Sequence, residues 1–307
     1  MDRLSLFPTQ DGSLTFWSET YQQSFHSDAG ARIEAEAKFV IPAQIAAKSQ
    51  TQEHLNILDV CYGLGYNSAA AIAAASQPHS NAHLQIIGLE NNLEVPQKAV
   101  ADRLIDIWSP EIVDILTKVA EYQCFTSSDR QIQLLVGDAR QTIQQVPPRW
   151  ADAIFLDPFS PPHCPQLWTV EFLQLLADRL KPDGYLLTYS AAAAVRTALL
   201  SAGLQIGAIA AIGRKSPSTI AAFAPMPLPP ISQIEADFLK TRAAIPYRDR
   251  HLNATATEIL RDRQLEQSQS NLPSGSSLRK TLHSLCRNPS SCPSTLKIKP
   301  ACHPINI

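Results

Sequence analysis

Five short apolar runs, separated by segments with helical patterning, constrain the fold most strongly. The runs cover residues 55–60, 84–90, 132–139, 151–158 and 184–190. Their near-continuous hydrophobicity is typical of strands that are covered on both faces, as in a parallel sheet. Helices are predicted at about 67–76, within 93–120, at 168–180 and at 191–201. The alternation predicts a doubly wound α/β domain.

The last two apolar runs predict a hairpin. Residues 204–212 and 219–224 are separated only by GRKSPS, which is too short for a crossover helix, so the two strands must pair antiparallel. Five parallel strands with a terminal antiparallel hairpin make a mostly parallel seven-stranded sheet. This is the layout of Rossmann-like class I methyltransferases, which use S-adenosyl-L-methionine, and a nicotinamide-binding domain does not usually end this way.

The stretch ILDVCYGLGYNSAAAI, residues 57–72, passes from a strand into a helix through a turn with two glycines. Gly63 and Gly65 let the backbone approach a ligand, and the helix N-terminus offers unpaired N–H groups. A tight strand-to-helix turn without a ligand would use the same residues. The dinucleotide fingerprint needs a third glycine where Ser68 stands, which disfavours a pyrophosphate ligand and an NAD-dependent oxidoreductase.

Acidic residues end the next two predicted strands. Glu90 ends the second strand, where a carboxylate can accept both ribose hydroxyls, and Asp138 ends the third, followed by Ala139, where the amino group of adenine would find an acceptor. Either acid alone could be a helix cap, but three strand ends in register converge on one crevice. The predicted cofactor-binding residues are Asp59, Gly63, Gly65, Asn67, Glu90, Asp138 and Ala139.

A proline-rich loop follows the fourth predicted strand. Its sequence is LDPFSPPHCPQLW, residues 156–168, and four prolines make it rigid where the transferred group would lie in such a fold. Asp157 begins the loop. The predicted catalytic residues are therefore Asp157, Pro158 and Phe159, although Asp157 could instead cap the loop's own N–H groups.

This loop carries a family resemblance. FLDPFSPPHCPQLWT resembles the loop of the methyltransferases that complete 5-methylaminomethyl-2-thiouridine at the tRNA wobble position, which have Asp, an aromatic, a small residue and Pro, then Asn-Pro-x-x-Trp. The resemblance covers roughly residues 10–225. Further matches are Gly63 to Asn67, Glu90, the turn Gly213-Arg214-Lys215, and an N-terminal stretch with Phe25, Ser27, Gly30, Glu34 and Phe39-Val40.

Three positions depart from the family pattern. Cys61 replaces the first glycine of a Gly-x-Gly-x-Gly run, Pro158 stands where glycine or alanine is common, and Cys164 replaces the usual asparagine. Longer family members are fused to a flavin-dependent oxidase, for which this chain has no second glycine fingerprint. The chain is therefore expected to be the stand-alone methyltransferase, acting on an aminomethyl group that other enzymes supply.

The resemblance implies a reaction and its requirements. The cofactor would be S-adenosyl-L-methionine, and the product 5-methylaminomethyl-(2-thio)uridine would form from 5-aminomethyl-(2-thio)uridine at the wobble position. Because the sulfonium is already electrophilic, the enzyme must hold a neutral amine in line with the methyl group and exclude water. Asp157 is expected to accept a hydrogen bond from that amine and orient its lone pair.

Charge is distributed unevenly along the chain. Residues 240–307 contain eleven Lys/Arg and four Asp/Glu, a balance of +7, and the total is −2, which leaves −9 for residues 1–239. The basic segment is either a solvated tail or a phosphate-binding extension for a tRNA anticodon loop. The predicted RNA-binding residues are Arg214, Lys215, Arg248, Arg250, Arg261 and Arg263.

The predicted organisation has three parts. Residues 1–50 form an N-terminal extension that packs on the catalytic domain, residues 51–230 form the methyltransferase domain, and residues 231–307 form the basic extension, disordered after about 270. No apolar stretch reaches the roughly 18 residues that span a bilayer, and the N-terminus lacks a secretory signal pattern. We expect a cytoplasmic protein with no membrane partner.

Two further expectations concern metals and alternative functions. The six cysteines lack paired zinc-site spacing, so reduced thiols and no metal site are predicted. One alternative function is an amine N-methyltransferase of the same fold, acting on another base, a polyamine or a small metabolite. Another is a non-catalytic protein that binds the cofactor or RNA.

Overall fold

The computed structural model describes residues 2–78, 80–211 and 216–278. Its strands are β1 (Leu4–Pro8), β2 (Leu14–Ser18), β3 (Gln23–Ser24), β4 (His54–Val60), β5 (His83–Glu90), β6 (Cys124–Thr126), β7 (Arg130–Val136), β8 (Ala151–Leu156), β9 (Leu180–Thr188), β10 (Gln205–Ile209) and β11 (Ser218–Ala222). Its α-helices are α1 (Ala31–Glu34), α2 (Ile45–Thr51), α3 (Tyr66–Ala75), α4 (Glu94–Ala101), α5 (Pro110–Tyr122), α6 (Ala139–Thr142), α7 (Val170–Arg179), α8 (Ala193–Ser201), α9 (Gln233–Phe238) and α10 (Ala256–Gln269). A π-helical segment covers Ala35–Val40, and 3-10 segments cover Leu104–Ile107, Ile143–Gln145, Pro165–Trp168 and Arg242–Ala244.

The central sheet has the predicted class. Its strand order is β10-β11-β9-β8-β4-β5-β7-β6, with the five central strands β9, β8, β4, β5 and β7 parallel. Strands β10 and β11 pair antiparallel, as predicted, and β11 continues antiparallel onto β9. In the described part of the chain the sheet has eight strands, not seven, because β6 adds an antiparallel edge. Three residues are too few to show a strand pattern in the sequence.

The register brings the functional strand ends together. Val60, the last residue of β4, lies beside Leu89 of β5 and Leu156 of β8. Glu90 and Asp157 therefore emerge at the same edge of the sheet as the glycine turn, because carboxyl ends of parallel strands share one edge.

Both faces of the sheet are covered, which explains the continuous apolar runs. Alternate residues of β4 point to opposite sides: Ile57 packs in the cluster that contains α3 and α5, and Leu58 packs in the cluster that contains α7 and α8. Both side chains are fully buried. A strand that is buried on both faces is apolar at most positions, so it shows no regular alternation of apolar and polar residues.

Two further segments lie against the sheet domain. Strands β1, β2 and β3 form a separate antiparallel sheet near the N-terminus. In the C-terminal segment, α9 and α10 each begin with a capping box, and the buried Arg196 of α8 donates to Glu235 of α9 at 2.6 Å. The domain boundaries at 50 and 230 stay predictions, and most of the residues that follow 270 lie outside the described residues. Within the described residues, no helix combines the length and apolar character needed to cross a membrane.

Candidate active site

The glycine turn between β4 and α3 is fixed by its backbone conformation. Cys61, Gly63 and Gly65 all have positive φ angles, of 68°, 55° and 83°. At Gly65 a Cβ atom would also lie 2.8 Å from the Tyr62 hydroxyl, so this glycine is required for space as well as conformation. Cys61 adopts the left-handed conformation at a cost of about 1–2 kcal/mol, which is a physical reason for the glycine that the family pattern has there.

Glu90 links the turn to the end of β5. Its carboxylate accepts the N–H of Gly63 at 2.8 Å and the N–H of Asn92 at 2.9 Å. Burial raises the pKa of Glu90, and these backbone hydrogen bonds oppose the rise. Two backbone hydrogen bonds therefore hold Glu90, which is predicted to accept hydrogen bonds from the ribose hydroxyls. Its side chain lines the cavity that lies over the strand ends.

Asp59 lies beneath the turn. It is fully buried, accepts a hydrogen bond from the Ser68 hydroxyl at 2.7 Å, and its second oxygen has no partner among the described residues. Burial raises its pKa to about 7, and Asp157 and Glu90 add to the rise while Ser68 opposes it. Ser68 stands where a dinucleotide site has its third glycine. Here its hydroxyl group donates a hydrogen bond to the buried carboxyl group of Asp59.

Asp157 begins the proline-rich loop and is held in place from α3. Asn67 donates its amide N–H to Oδ2 of Asp157 at 3.0 Å. The loop backbone is fixed behind it, because Tyr189 donates to the carbonyl of Pro158 and the buried Trp168 donates to the carbonyl of Phe159, both at 2.8 Å. Asn67, predicted to bind cofactor, therefore contacts the predicted catalytic carboxylate directly.

The opposite wall comes from the N-terminal segment, of which the sequence analysis named only family matches such as Phe25 and Glu34 and no site residue. Tyr21 stacks on Phe159 with ring centroids 4.2 Å apart, and Phe25 meets the same ring edge-on at 4.9 Å. The side chain of Gln23 forms two hydrogen bonds with Ser160, of 2.6 and 3.0 Å. These contacts join residues far apart in sequence, and the family match at Phe25 is the one sequence signal among the residues named here.

Glu34 contributes a buried ion pair to the same side of the cavity. Its carboxylate lines the cavity and binds both Lys38 and Ser27. Burial works to raise the pKa of Glu34, but Lys38 outweighs it and holds the pKa below its usual value. Glu34 and Ser27 were quoted as family matches, and they meet in this contact.

The cavity has a volume of about 970 Å³ and an acidic, aromatic lining. It contains five carboxylates, and within the described ranges no lysine or arginine lines it. The carboxylates are Asp2, Glu34, Glu90, Glu94 and Asp157. Pro158, Phe159 and Gly63 line it too. Such a surface favours a cationic ligand over a phosphate.

Asp138 and Ala139 lie at the end of β7 and are not among the residues that line the cavity. Asp138 caps α6 and forms an ion pair with Arg140 at 2.6 Å. Burial works to raise the pKa of Asp138, but its hydrogen bonds with Arg140 outweigh it and the pKa is lowered. Arg140 also binds Asp249 at 2.8 Å, so an ion pair joins the region after β7 to the C-terminal segment.

The predicted RNA-binding residues that the structure describes, Arg248, Arg250, Arg261 and Arg263, do not line the cavity. Arg263 donates to the carbonyls of Ile245 and Ala243 and stacks over Tyr247 at 4.4 Å, so its guanidinium holds the fold together. The other described arginines are exposed; Arg248 pairs with Glu171, Arg261 pairs with Asp262, and Arg250 is at the surface. Arg214 and Lys215 lie outside the described residues. In the described part of the chain, no cluster of His, Cys, Asp or Glu could hold a metal ion.

Comparison with known proteins identifies the family. Residues 103–224 match the model of an S-adenosyl-L-methionine-dependent methyltransferase family. A crystal structure of MnmC2 from Aquifex aeolicus superposes with a TM-score of 0.78 at 33% identity, covering 88% of this chain and 87% of that one. An uncharacterised protein of Methanocaldococcus jannaschii is 33% identical over 267 residues, which are 84% of this chain and 71% of that protein.

Larger proteins match as well. The tRNA 5-methylaminomethyl-2-thiouridine biosynthesis bifunctional protein MnmC of Acidovorax sp. is 25% identical over 225 residues, and that of Azoarcus sp. is 28% identical over 222 residues. These matches cover 70% and 69% of this chain but 35% and 34% of the bifunctional proteins, so the chain spans about a third of their length. The similarity to MnmC2 covers nearly the whole fold, and the chain belongs to the MnmC2-like family of S-adenosyl-L-methionine-dependent methyltransferases.

Proposed function

We propose that this methyltransferase converts 5-aminomethyl-(2-thio)uridine at the tRNA wobble position to 5-methylaminomethyl-(2-thio)uridine. The observation that carries the proposal is the acidic, aromatic cavity at the strand ends, with Asp157 at the start of its proline-rich loop. The similarity to MnmC2 and to proteins named for 5-methylaminomethyl-2-thiouridine biosynthesis supports this acceptor.

The chemistry of the cavity fits the cofactor. About 970 Å³ is at the upper end of the range for ligand sites, roughly 300–1,000 Å³, which leaves room for an acceptor beside S-adenosyl-L-methionine. Glu90 would hold the ribose hydroxyls, and Gly63 and Gly65 would let the backbone approach. Asp138 and Ala139 remain the candidates for the adenine, although they lie outside the cavity lining and Asp138 is paired with Arg140. When bound, the cofactor supplies an electrophilic methyl group on a positively charged sulfur, which suits a cavity that five carboxylates line and to which the described residues contribute no lysine or arginine.

Asp157 would prepare the acceptor for attack. An alkylamine is protonated at pH 7 and has no lone pair until one proton leaves, to Asp157 or to solvent. Asp157 would accept a hydrogen bond from the neutral amine and aim its lone pair, and Asn67 would hold the carboxylate still. The cofactor would supply the methyl group to this nitrogen, and the product amine would be a secondary ammonium ion. Pro158 and Phe159 would exclude water beside it.

The RNA partner would be the anticodon loop of tRNA. A wobble base in an exposed loop can turn into a pocket without melting a duplex. Basic residues would bind the flanking phosphates, and the candidates remain Arg214, Lys215, Arg248, Arg250, Arg261 and Arg263, with Arg263 the weakest because its guanidinium is already bound. A tRNA acceptor also agrees with the expected cytoplasmic location.

The acceptor can be tested with purified protein, labelled S-adenosyl-L-methionine and three pools: tRNA carrying 5-aminomethyluridine, tRNA lacking it, and polyamines. We expect label only in the first pool, with 5-methylaminomethyluridine identified by mass spectrometry of nucleosides. Asp157→Asn is the matched inactive control. Labelling of polyamines or of both tRNA pools would assign another acceptor, which the acidic cavity also fits. Cofactor binding with no transfer to any pool would indicate a non-catalytic protein.

A further inference from the structure

The cavity has two walls of different origin. The sheet domain contributes one wall, with the strand-end residues Cys61, Gly63, Glu90 and Asp157. The N-terminal segment contributes the other, including residues 20–25. Because Gly63 and Glu90, the cofactor candidates that line the cavity, belong to the first wall, the second wall is left to meet the acceptor.

Tyr21 is the centre of the second wall. Its ring lies nearly parallel to that of Phe159, at an interplanar angle of 17° and a centroid distance of 4.2 Å. Tyr21, Phe159 and Asp157 all line the cavity, so an acceptor held at the carboxylate of Asp157 would lie near this aromatic pair. Aromatic rings provide flat apolar surface at little conformational cost.

The position of Tyr21 is fixed on both sides. Its carbonyl contacts Nδ1 of His163 at 2.6 Å, and its N–H donates to the Ser18 hydroxyl at 3.0 Å. Gln23, two residues later, forms its paired hydrogen bonds with Ser160. The N-terminal wall is thus attached to the proline-rich loop at Ser160 and His163, just after Phe159, and these contacts hold the Tyr21 ring without using its phenol group.

The phenol group of Tyr21 remains available to a ligand. Across residues 2–78, 80–211 and 216–278 its oxygen has no hydrogen bond. Burial raises its pKa to about 12, with Cys164, Cys61 and Glu90 adding to the rise, so the group is a proton donor at neutral pH. A donor in a cavity rich in carboxylates suits a ligand that brings its own neutral oxygen acceptor.

We propose that Tyr21 is a specificity-determining residue that binds the acceptor base, with its ring beside the base and its phenol O–H donating to a ring carbonyl. The inference rests on the proposed function, and it specifies the acceptor as a planar heterocycle with a carbonyl next to the aminomethyl arm. In a 5-aminomethyluracil, O4 is in that position. A polyamine offers neither a plane nor a carbonyl, so Tyr21 would favour the base over it.

The test compares Tyr21→Phe with wild type, because this change removes the donor and keeps the stacked ring. We expect KM for tRNA carrying 5-aminomethyluridine to rise about tenfold, the scale of one hydrogen bond, while the Kd for S-adenosyl-L-methionine changes less than about twofold. The matched control is Tyr122→Phe, which removes the hydroxyl of a residue that is 62% exposed and does not line the cavity; its KM should equal that of wild type. Thermal unfolding of each variant checks folding.

The outcomes separate the two proposals. If wild type methylates this tRNA and Tyr21→Phe has the same KM, the Tyr21 assignment is wrong and the proposed function stands. The assignment is also wrong if cofactor affinity falls and KM for tRNA does not change, because Tyr21 would then bind the cofactor. If wild type binds cofactor but methylates no wobble uridine, the proposed function fails and the Tyr21 inference fails with it.

Discussion

Glu90 shows how one residue can be predicted from sequence and still be more constrained than expected. Its position at the end of an apolar run indicated a ligand-facing carboxylate, but not its hydrogen bonds to two backbone N–H groups. Glu90→Gln keeps the shape and removes the charge. It should weaken S-adenosyl-L-methionine binding about ten- to hundredfold, since a hydrogen bond to a charged group contributes about 1.5–3 kcal/mol.

Calorimetric titration measures this affinity. The matched control is Glu94→Gln, which removes the same charge from an exposed position in the same cavity and should weaken binding far less. Equal losses in both variants would mean that the cavity's total charge matters and that Glu90 does not contact the ribose.

Asp157 allows a kinetic prediction. Asp157→Asn keeps a group that can pair with Asn67 but removes the carboxylate that would accept a hydrogen bond from the amine. Single-turnover methyl transfer to tRNA should fall about a hundredfold or more, while cofactor affinity stays within about twofold. Parallel losses of affinity and rate would instead show that Asp157 shapes the cavity, and near-normal turnover would remove it from the mechanism.

Asp59 gives a pH prediction. Its pKa in the folded protein is about 7, above the ordinary value of 3.8, so the folded state holds a proton that the unfolded state has released between these pH values. This contribution to stability is therefore present at low pH and is lost as pH rises from about 4 to 7, on the order of 4 kcal/mol in total.

The variant Asp59→Asn cannot titrate at this position. Its unfolding free energy, measured by denaturant titration from pH 4 to 8, should fall less than that of wild type over the same range, because all other groups are common to both. Parallel curves for the two proteins would mean that Asp59 is ionised in the folded state throughout.

At the scale of elements, the strands that were predicted are those whose local pattern decides their structure. Residues 55–60 and 151–158 are apolar at nearly every position, and β4 and β8 are buried on both faces. The N-terminal wall was not predicted, because Tyr21 and Gln23 acquire their role from contacts with Phe159 and Ser160, more than a hundred positions away. A single sequence contains no periodicity that records such pairings.

The C-terminal segment is a second case in which tertiary contacts could not be predicted from the sequence. Its charge suggested an RNA-binding extension, yet Asp249 is 2% exposed and binds Arg140 and the N–H groups of Asn253 and Ala254. Asp249→Asn should therefore lower the free energy of unfolding by about 1.5–3 kcal/mol, because the hydrogen bond of Arg140 to a buried charged carboxylate is lost, while Arg140 keeps its ion pair with Asp138.

The control for this element is Asp262→Asn. Asp262 pairs with Arg261 at the surface, and its loss should cost less than about 1 kcal/mol. Denaturant unfolding of both variants measures the difference. If Asp249→Asn is as stable as Asp262→Asn, the segment around residue 249 is not integral to the folded domain.

At the scale of the whole molecule, charge separates the two proposed binding functions. Residues 240–278 carry six Lys/Arg and four Asp/Glu, a balance of +2, and residues 279–307 carry five Lys/Arg and no acid, a balance of +5; together they make the +7 of residues 240–307. The cavity lining is acidic instead. The phosphates of a tRNA would thus be bound away from the acidic cavity in which its aminomethyl group would be methylated.

The last prediction tests where those contacts lie. One variant changes the five basic residues that follow Leu278 to Gln, namely Arg279, Lys280, Arg287, Lys297 and Lys299. A second changes the exposed Arg248, Arg250 and Arg261, and leaves Arg263 in place because it stabilises the fold. Each lost phosphate contact should flatten the slope of log affinity for tRNA against log salt by about 0.7–0.9, so the first variant should show the larger change. Cofactor affinity should stay constant in both. If neither slope changes, the basic extension is a solvated tail, and Arg214 and Lys215 are left to provide the phosphate contacts.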